Sequence, residues 1–157
     1  MNTPIALATA LHTLSAVVWV GGMFFAYFAL RPVAATTLEG PERLNLWSQT
    51  LAKFFLWVWC AIILLPATGF WMVFNVFDDF ASLGMHVHIM TLLGIIMILI
   101  FLYVFFIPYL QLRLNLLSQD YVKAAKYLGQ IRMAVALNLA LGILTVVIGS
   151  SGRYLFS

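Results

Sequence analysis

Four long apolar segments dominate this chain of 157 residues and constrain its fold more than any motif does. They cover residues 5–30, 54–76, 82–112 and 131–153, and a bilayer span needs about 20 such residues. Apolar residues make up 64% of the chain and charged residues only 8%, whereas an average soluble domain holds roughly 45–50% and about 25%. We therefore predict a single domain, residues 1–157, that lies in the lipid bilayer.

The apolar segments are expected to be helices, because in lipid every backbone N–H and C=O group needs a partner within the protein. The predicted fold class is an all-α integral membrane protein, an up-down bundle of four transmembrane helices. The third segment is longer than the hydrocarbon layer is thick, so its last turns should emerge into water and Pro108 should bend it there.

The cationic residues indicate how the bundle is oriented. Seven of the eight lie in the first and third loops or their flanks, and only Arg153 lies at the other end. The seven are Arg31, Arg43, Lys53, Arg113, Lys123, Lys126 and Arg132. Because cytoplasmic loops carry the excess of Lys and Arg, we predict two periplasmic termini and a location in the bacterial inner membrane. A scattered net charge of +3 excludes a nucleic-acid interface.

The three histidines, His12, His86 and His88, fall near the outer ends of the first and third segments. An ionisable residue inside a span is costly and therefore indicates a functional site. Residues two apart on a helix point about 200° away from each other, so only one of His86 and His88 can face His12. We favour His88, which lies deeper and shares its face with the small residues Gly84 and Thr91, and take His86 as a substitute.

The fourth segment carries small and polar residues along one face. They are Asn138, Gly142, Thr145, Gly149 and Gly152. Thr145 and Gly149 should lie at the level of the histidines, where the glycines would leave a slot for a flat macrocycle, with Arg153 at its mouth to hold a carboxylate. The alternative explanation of such a stripe is close packing between helices.

Two imidazoles on facing helices are a common means of holding haem b. The leading prediction is therefore haem b between the first and third helices, with His12 and His88 as its axial ligands. Trp19, on the same helix face as His12, would contact the haem together with the residues of the fourth segment. The expected role is redox, either electron transfer to an unknown partner or an oxidoreductase activity, with no catalytic residue identified.

Two other functions remain open from the residues alone. Met85, His86, His88 and Met90 offer the thioether and imidazole ligands that suit Cu(I), so copper binding or transport is the first alternative. A non-redox structural or assembly subunit is the second, with the glycine stripe as its helix interface. The small number of helices favours a homodimer.

Short motifs resemble two related families of small membrane proteins. The first segment is similar to that of CopD-like proteins and of HemJ-type protoporphyrinogen oxidases in His12, in Trp19-Val20-Gly21-Gly22-Met23 and in Arg31-Pro32. Further shared parts are Met85-His86-Val87-His88 and the combination of Arg132 with Asn138. The resemblance implies a four-helix membrane fold, often dimeric, with haem b near the first and third spans and His12 as a ligand. The HemJ-type pattern has lysine where this chain has His88, which argues against porphyrinogen oxidation.

Overall fold

The computed structural model of the chain describes residues 3–76 and 84–155, and its regular structure there is entirely helical. We call the four helical rods the first to fourth spans. They run over Thr3–Thr37, Gly40–Val76, Met85–Leu117 and Tyr121–Leu155. Each contains an apolar window long enough to cross a membrane. The predicted all-α membrane fold is confirmed.

Short connections at one end make consecutive spans antiparallel. The first and second spans are separated by two residues, Leu38 and Glu39, and the third and fourth by Ser118–Asp120. Gln119 has a φ of 57°, a left-handed conformation that reverses the chain sharply. The side chain of Asp120 then caps the fourth span, accepting a hydrogen bond of 3.0 Å from the backbone N–H of Lys123.

The contacts between spans confirm the up-down order. His12, near the start of the first span, meets Thr68 near the end of the second. His86, at the start of the third, packs against Gly152 at the end of the fourth. The first span packs mainly on the second and the third mainly on the fourth, and the fourth span also contacts the first two. The periplasmic location of both termini stays a prediction.

Two π-helical turns interrupt the spans near the connecting loops. They cover Ala26–Leu30 in the first span and Phe105–Tyr109 in the third, which contains Pro108. Proline has no N–H to donate, and a wider turn accommodates this within a continuing helix. The third span therefore runs on to Leu117. The first likewise continues past the end of its apolar segment at Arg31-Pro32, because Pro32 lies in the first turn of the helix Arg31–Thr37.

An aromatic cluster forms the core between the second and third spans. The ring centroids of Phe55 and Tyr109 are 4.9 Å apart, and those of Trp59 and Phe105 are 5.3 Å apart, both edge to face. Phe101 completes the cluster at 5.3 Å from Phe55. Such pairs are favourable beyond the area that they bury. Outside the core the chain presents apolar side chains outward, since the apolar window of each span is only 17% or 22% buried.

Candidate functional site

The candidate site lies where the first and third spans begin and the second and fourth end, which we call the histidine end. The opposite end, with the two short connections, is the arginine end. At the histidine end, His12 is half-buried and its Nδ1 lies 2.9 Å from Oγ1 of Thr68 in the second span. A Cβ on Gly69 would lie 3.3 Å from Cε1 of His12, so glycine there lets the ring approach the second span closely.

The hydrogen bonds of Thr68 assign the tautomer of His12. A threonine hydroxyl has one proton to donate, and Thr68 Oγ1 lies 2.6 Å from the carbonyl oxygen of Leu64, which can only accept. Oγ1 therefore accepts from His12, whose Nδ1 carries the proton. The lone pair is then on Nε2, and a partner of this kind fixes the orientation of a ligating imidazole. His12 is thus held as a potential nitrogen donor by the second span.

The third span presents His86 and Met90 to the fourth. A Cβ on Gly152 would lie 2.5 Å from the Cβ of His86, and one on Gly149 would lie 3.2 Å from the sulfur of Met90. Gly152 therefore lets the two spans approach closely, while the flexible end of the Met90 side chain lies against Gly149. His86 and Met90 are four residues apart, so they lie one above the other on the same face.

The same face of the third span continues deeper into the bundle with Met97. A Cβ on Gly142 would lie 3.1 Å from the terminal methyl group of Met97 and 2.9 Å from a methyl group of Val20 in the first span. The sulfur of Met97 lies 3.9 Å from the hydroxyl of Thr145, which donates its own short bond to Leu141. Imidazole and thioether groups therefore follow the glycine stripe of the fourth span inward.

The stripe faces the His86 side of the third span, in contrast to our preference for His88. His88 is half-buried and two residues removed from His86, which places it on a different face. His12 also differs from expectation, because it meets Thr68 rather than a histidine of the third span. The reason for both differences is the pairing of the first span with the second and of the third with the fourth.

The expected slot for a macrocycle is filled. Gly149 and Gly152 lie against Met90 and His86, and Thr145 lies beside Met97, so the glycines serve close helix packing. These contacts do not support ligation of haem b by His12 and His88.

Trp19 and Asn138 are brought together farther from the histidine end. Both are buried, and they line a cavity of about 20 Å³ together with side chains of all four spans. The Oδ1 atom of Asn138 is buried there without a hydrogen-bond partner in the described chain. A water molecule needs about 10–15 Å³, so the cavity has room for one water and not for a cofactor.

The remaining predicted residue, Arg153, belongs to the last turn of the fourth span, and its side chain lies outside the described residues. Thr68 and Met97 were not predicted from the sequence as site residues. The position of Thr68 in the sequence could have identified it, since this hydroxyl near the histidine end of an apolar span falls at the depth of His12. Nothing in the sequence distinguishes Met97, because methionine also fills ordinary apolar gaps.

Comparison with protein families gives a match to CopD, Copper resistance protein D, over residues 48–151. The chain belongs to the CopD family. The match extends from the second span to the fourth, so it includes His86 and Met90 but neither His12 nor Trp19. The resemblance to HemJ-type oxidases is not confirmed. No curated protein and no solved structure matches the chain.

Proposed function

We propose that this multi-pass membrane protein binds Cu(I) as its cargo at the histidine end, between the third and fourth spans. The observation that carries the proposal is the single face of His86, Met90 and Met97 packed against the glycine stripe. Membership of a copper-resistance family supports copper as the metal.

The donor set fits Cu(I) by its chemistry. Thioether and imidazole are soft or intermediate ligands, whereas hard cations such as Mg²⁺ and Ca²⁺ require oxygen donors. No group of three or more His, Cys, Asp or Glu side chains suited to a metal occurs among the described residues. The proposed site uses methionine sulfur beside imidazole, a donor set that disfavours the metals that prefer carboxylates.

The spacing of the donors suggests a path into the membrane. Successive donors are four and seven residues apart, which corresponds to steps of about 6 Å and 10 Å along the helix axis. His86 and Met90 can share one ion, as two ligands at positions i and i+4 of a helix do in metalloproteases. Met97 offers a deeper thioether to which the ion can pass.

The charge distribution supports insertion with the histidine end outward. Seven of eight cations lie toward the arginine end, so by the positive-inside tendency the copper site opens to the periplasmic side of a bacterial inner membrane. A homodimer and a redox partner stay predictions.

The test is an anaerobic titration of the purified full-length protein with Cu(I) in competition with a chromophoric chelator. We expect about one tightly bound Cu(I) per chain and an affinity at least about tenfold lower in Met90→Leu, which keeps the volume but removes the sulfur. Met133→Leu is the matched control, because Met133 is 77% exposed near the start of the apolar part of the fourth span.

Wild-type protein that binds no Cu(I), or equal affinities in the two variants, would contradict the proposal. An absorption spectrum of the same preparation distinguishes the haem interpretation. A b-type haem spectrum that is lost in His12→Ala would support the haem interpretation and overturn copper as the main ligand.

A further inference from the structure

A second pocket lies at the arginine end, between the start of the second span and the first turns of the fourth. Its volume is about 410 Å³, within the range of small-molecule sites. Arg43 of the second span and Arg132 of the fourth both line it. The proposed copper site is at the opposite end of the bundle, so this pocket is independent of copper.

No carboxylate is among the described residues that line this pocket. Arg31 and Arg43 lie near enough to repel the charge of Arg132. Glu39 and Glu42 are exposed, and the one ion pair in the described part of the chain joins Lys123 and Asp120. Like charges gathered around a pocket are unfavourable unless an anion occupies it.

The arginines also have hydrogen-bond donors to spare. The Nε atom of Arg132 is buried without a partner in the described chain, while its guanidinium carbon lies 6.0 Å from the centre of the Trp47 ring. Arg43 uses one nitrogen for a bond of 3.4 Å to the carbonyl oxygen of Ala35. A guanidinium group has five N–H donors, and its planar fork matches the oxygens of a phosphate.

The rest of the lining indicates an amphipathic ligand at the membrane surface. The apolar stretch from Met133 to Gly152 is about 30 Å long as a helix, so Arg132 lies at the boundary of the hydrocarbon layer. Leu44, Val122 and Leu128 form apolar walls beside the arginines. Basic pockets between transmembrane helices at this level suit the headgroups of anionic lipids.

We propose that this pocket binds a phosphate group, with Arg43 and Arg132 as its ligands. Two sources share this chemistry, the headgroup of an anionic phospholipid and free inorganic phosphate. The bound phosphate would place a negative charge beside the two arginines at the arginine end.

Native mass spectrometry of the full-length protein in detergent tests the proposal, with phosphatidylglycerol and phosphatidylcholine as separate probes. We expect phosphatidylglycerol to be retained in preference to phosphatidylcholine, and its bound fraction to fall about fivefold in Arg43→Gln, since one basic residue near the surface contributes about that factor. Arg113→Gln is the matched control, because Arg113 lies toward the same end, is exposed and does not line the pocket.

The source of the phosphate group is identified from melting temperatures measured with inorganic phosphate or with phosphatidylglycerol. Inorganic phosphate is added at about 10 mM, so that even weak binding is detected. Stabilisation by both, lost in Arg43→Gln, supports a site for free phosphate, and stabilisation by the lipid alone supports a headgroup site. Stabilisation by neither overturns the proposal. Equal losses in Arg43→Gln and Arg113→Gln would also overturn it, because they would show general attraction to charge. Arg132→Gln repeats the test from the other side of the pocket.

Discussion

The two ends of the bundle present opposite chemistry. At the histidine end the described polar groups include imidazole nitrogens, thioether sulfurs and hydroxyls, which offer lone pairs. At the arginine end the guanidinium groups of Arg43 and Arg132 line a pocket and offer N–H donors. Lone pairs suit a soft cation and guanidinium groups suit an anion. The side chains at the two ends of the bundle therefore suit different classes of ligand.

The two helix pairs at the histidine end also differ in how they hold a histidine. The second span holds His12 by a hydrogen bond from Nδ1 to Thr68. The fourth span contacts His86 by close packing against Gly152, which has no side chain. A hydrogen bond fixes the tautomer of a ring, whereas close packing fixes its position and leaves the choice of proton open.

Gly152→Leu should disrupt the packing of the third span on the fourth at the histidine end. Its Cβ would lie 2.5 Å from the Cβ of His86, so the third and fourth spans must separate. Overpacking of this kind costs about 1–3 kcal/mol or more, and the melting temperature and the Cu(I) affinity should both fall. Gly94→Leu is the control, because a Cβ there meets no atom within 4 Å in the described structure. Equal melting temperatures for the two variants would show that the spans do not meet at Gly152.

Thr68→Val should loosen His12 and leave the arginine end unchanged. The variant keeps the shape of the side chain but removes the acceptor of the 2.9 Å bond, at a cost of about 1 kcal/mol. Nitrogen NMR of labelled histidine should show a protonated Nδ1 in the wild type and a mixture of tautomers in the variant. Thr68→Ser retains the hydroxyl and should resemble the wild type. A protonated Nε2 in the wild type would contradict the assignment.

Asn138→Leu tests the region between the two ends. The Oδ1 atom of Asn138 is buried without a partner beside a cavity of about 20 Å³. Replacing an unsatisfied polar group by an apolar one of similar size is nearly neutral or stabilising, so the melting temperature should stay the same or rise slightly. A marked fall in melting temperature would instead show that a bound water or ligand satisfies this oxygen. Asn138→Asp is the opposite control and should destabilise the protein by placing a charge there.

Asp120→Asn should have the smallest effect and a defined pH dependence. The hydrogen bond from the Lys123 side chain lowers the pKa of the Asp120 carboxyl, followed by that from the Lys123 backbone. Because the folded-state pKa lies below the unfolded one, the stabilisation is present above the unfolded pKa and disappears as the pH falls through the folded pKa. Melting temperatures of wild type and Asp120→Asn should therefore differ slightly at neutral pH and converge in acid. A difference that grows on acidification would contradict this.

The sequence determined the four helices and the gathering of most cations toward one end. The four helices follow from the length and apolar content of the segments, because backbone groups in lipid can be satisfied only within a helix or barrel. The family match over residues 48–151 agrees with the CopD-like part of the resemblance seen in Met85-His86-Val87-His88.

Which helix faces meet is visible only in the folded bundle. The spans are apolar on nearly every side, so the periodicity that identifies the buried face of a soluble helix is weak here. Which of His86 and His88 faces the glycine stripe depended on the close contact of Gly152 with the third span, and the hydrogen-bond partner of His12 depended on the pairing of the first span with the second. Packing of small residues and single hydrogen bonds select these contacts in a membrane, and neither leaves a regular pattern in the sequence.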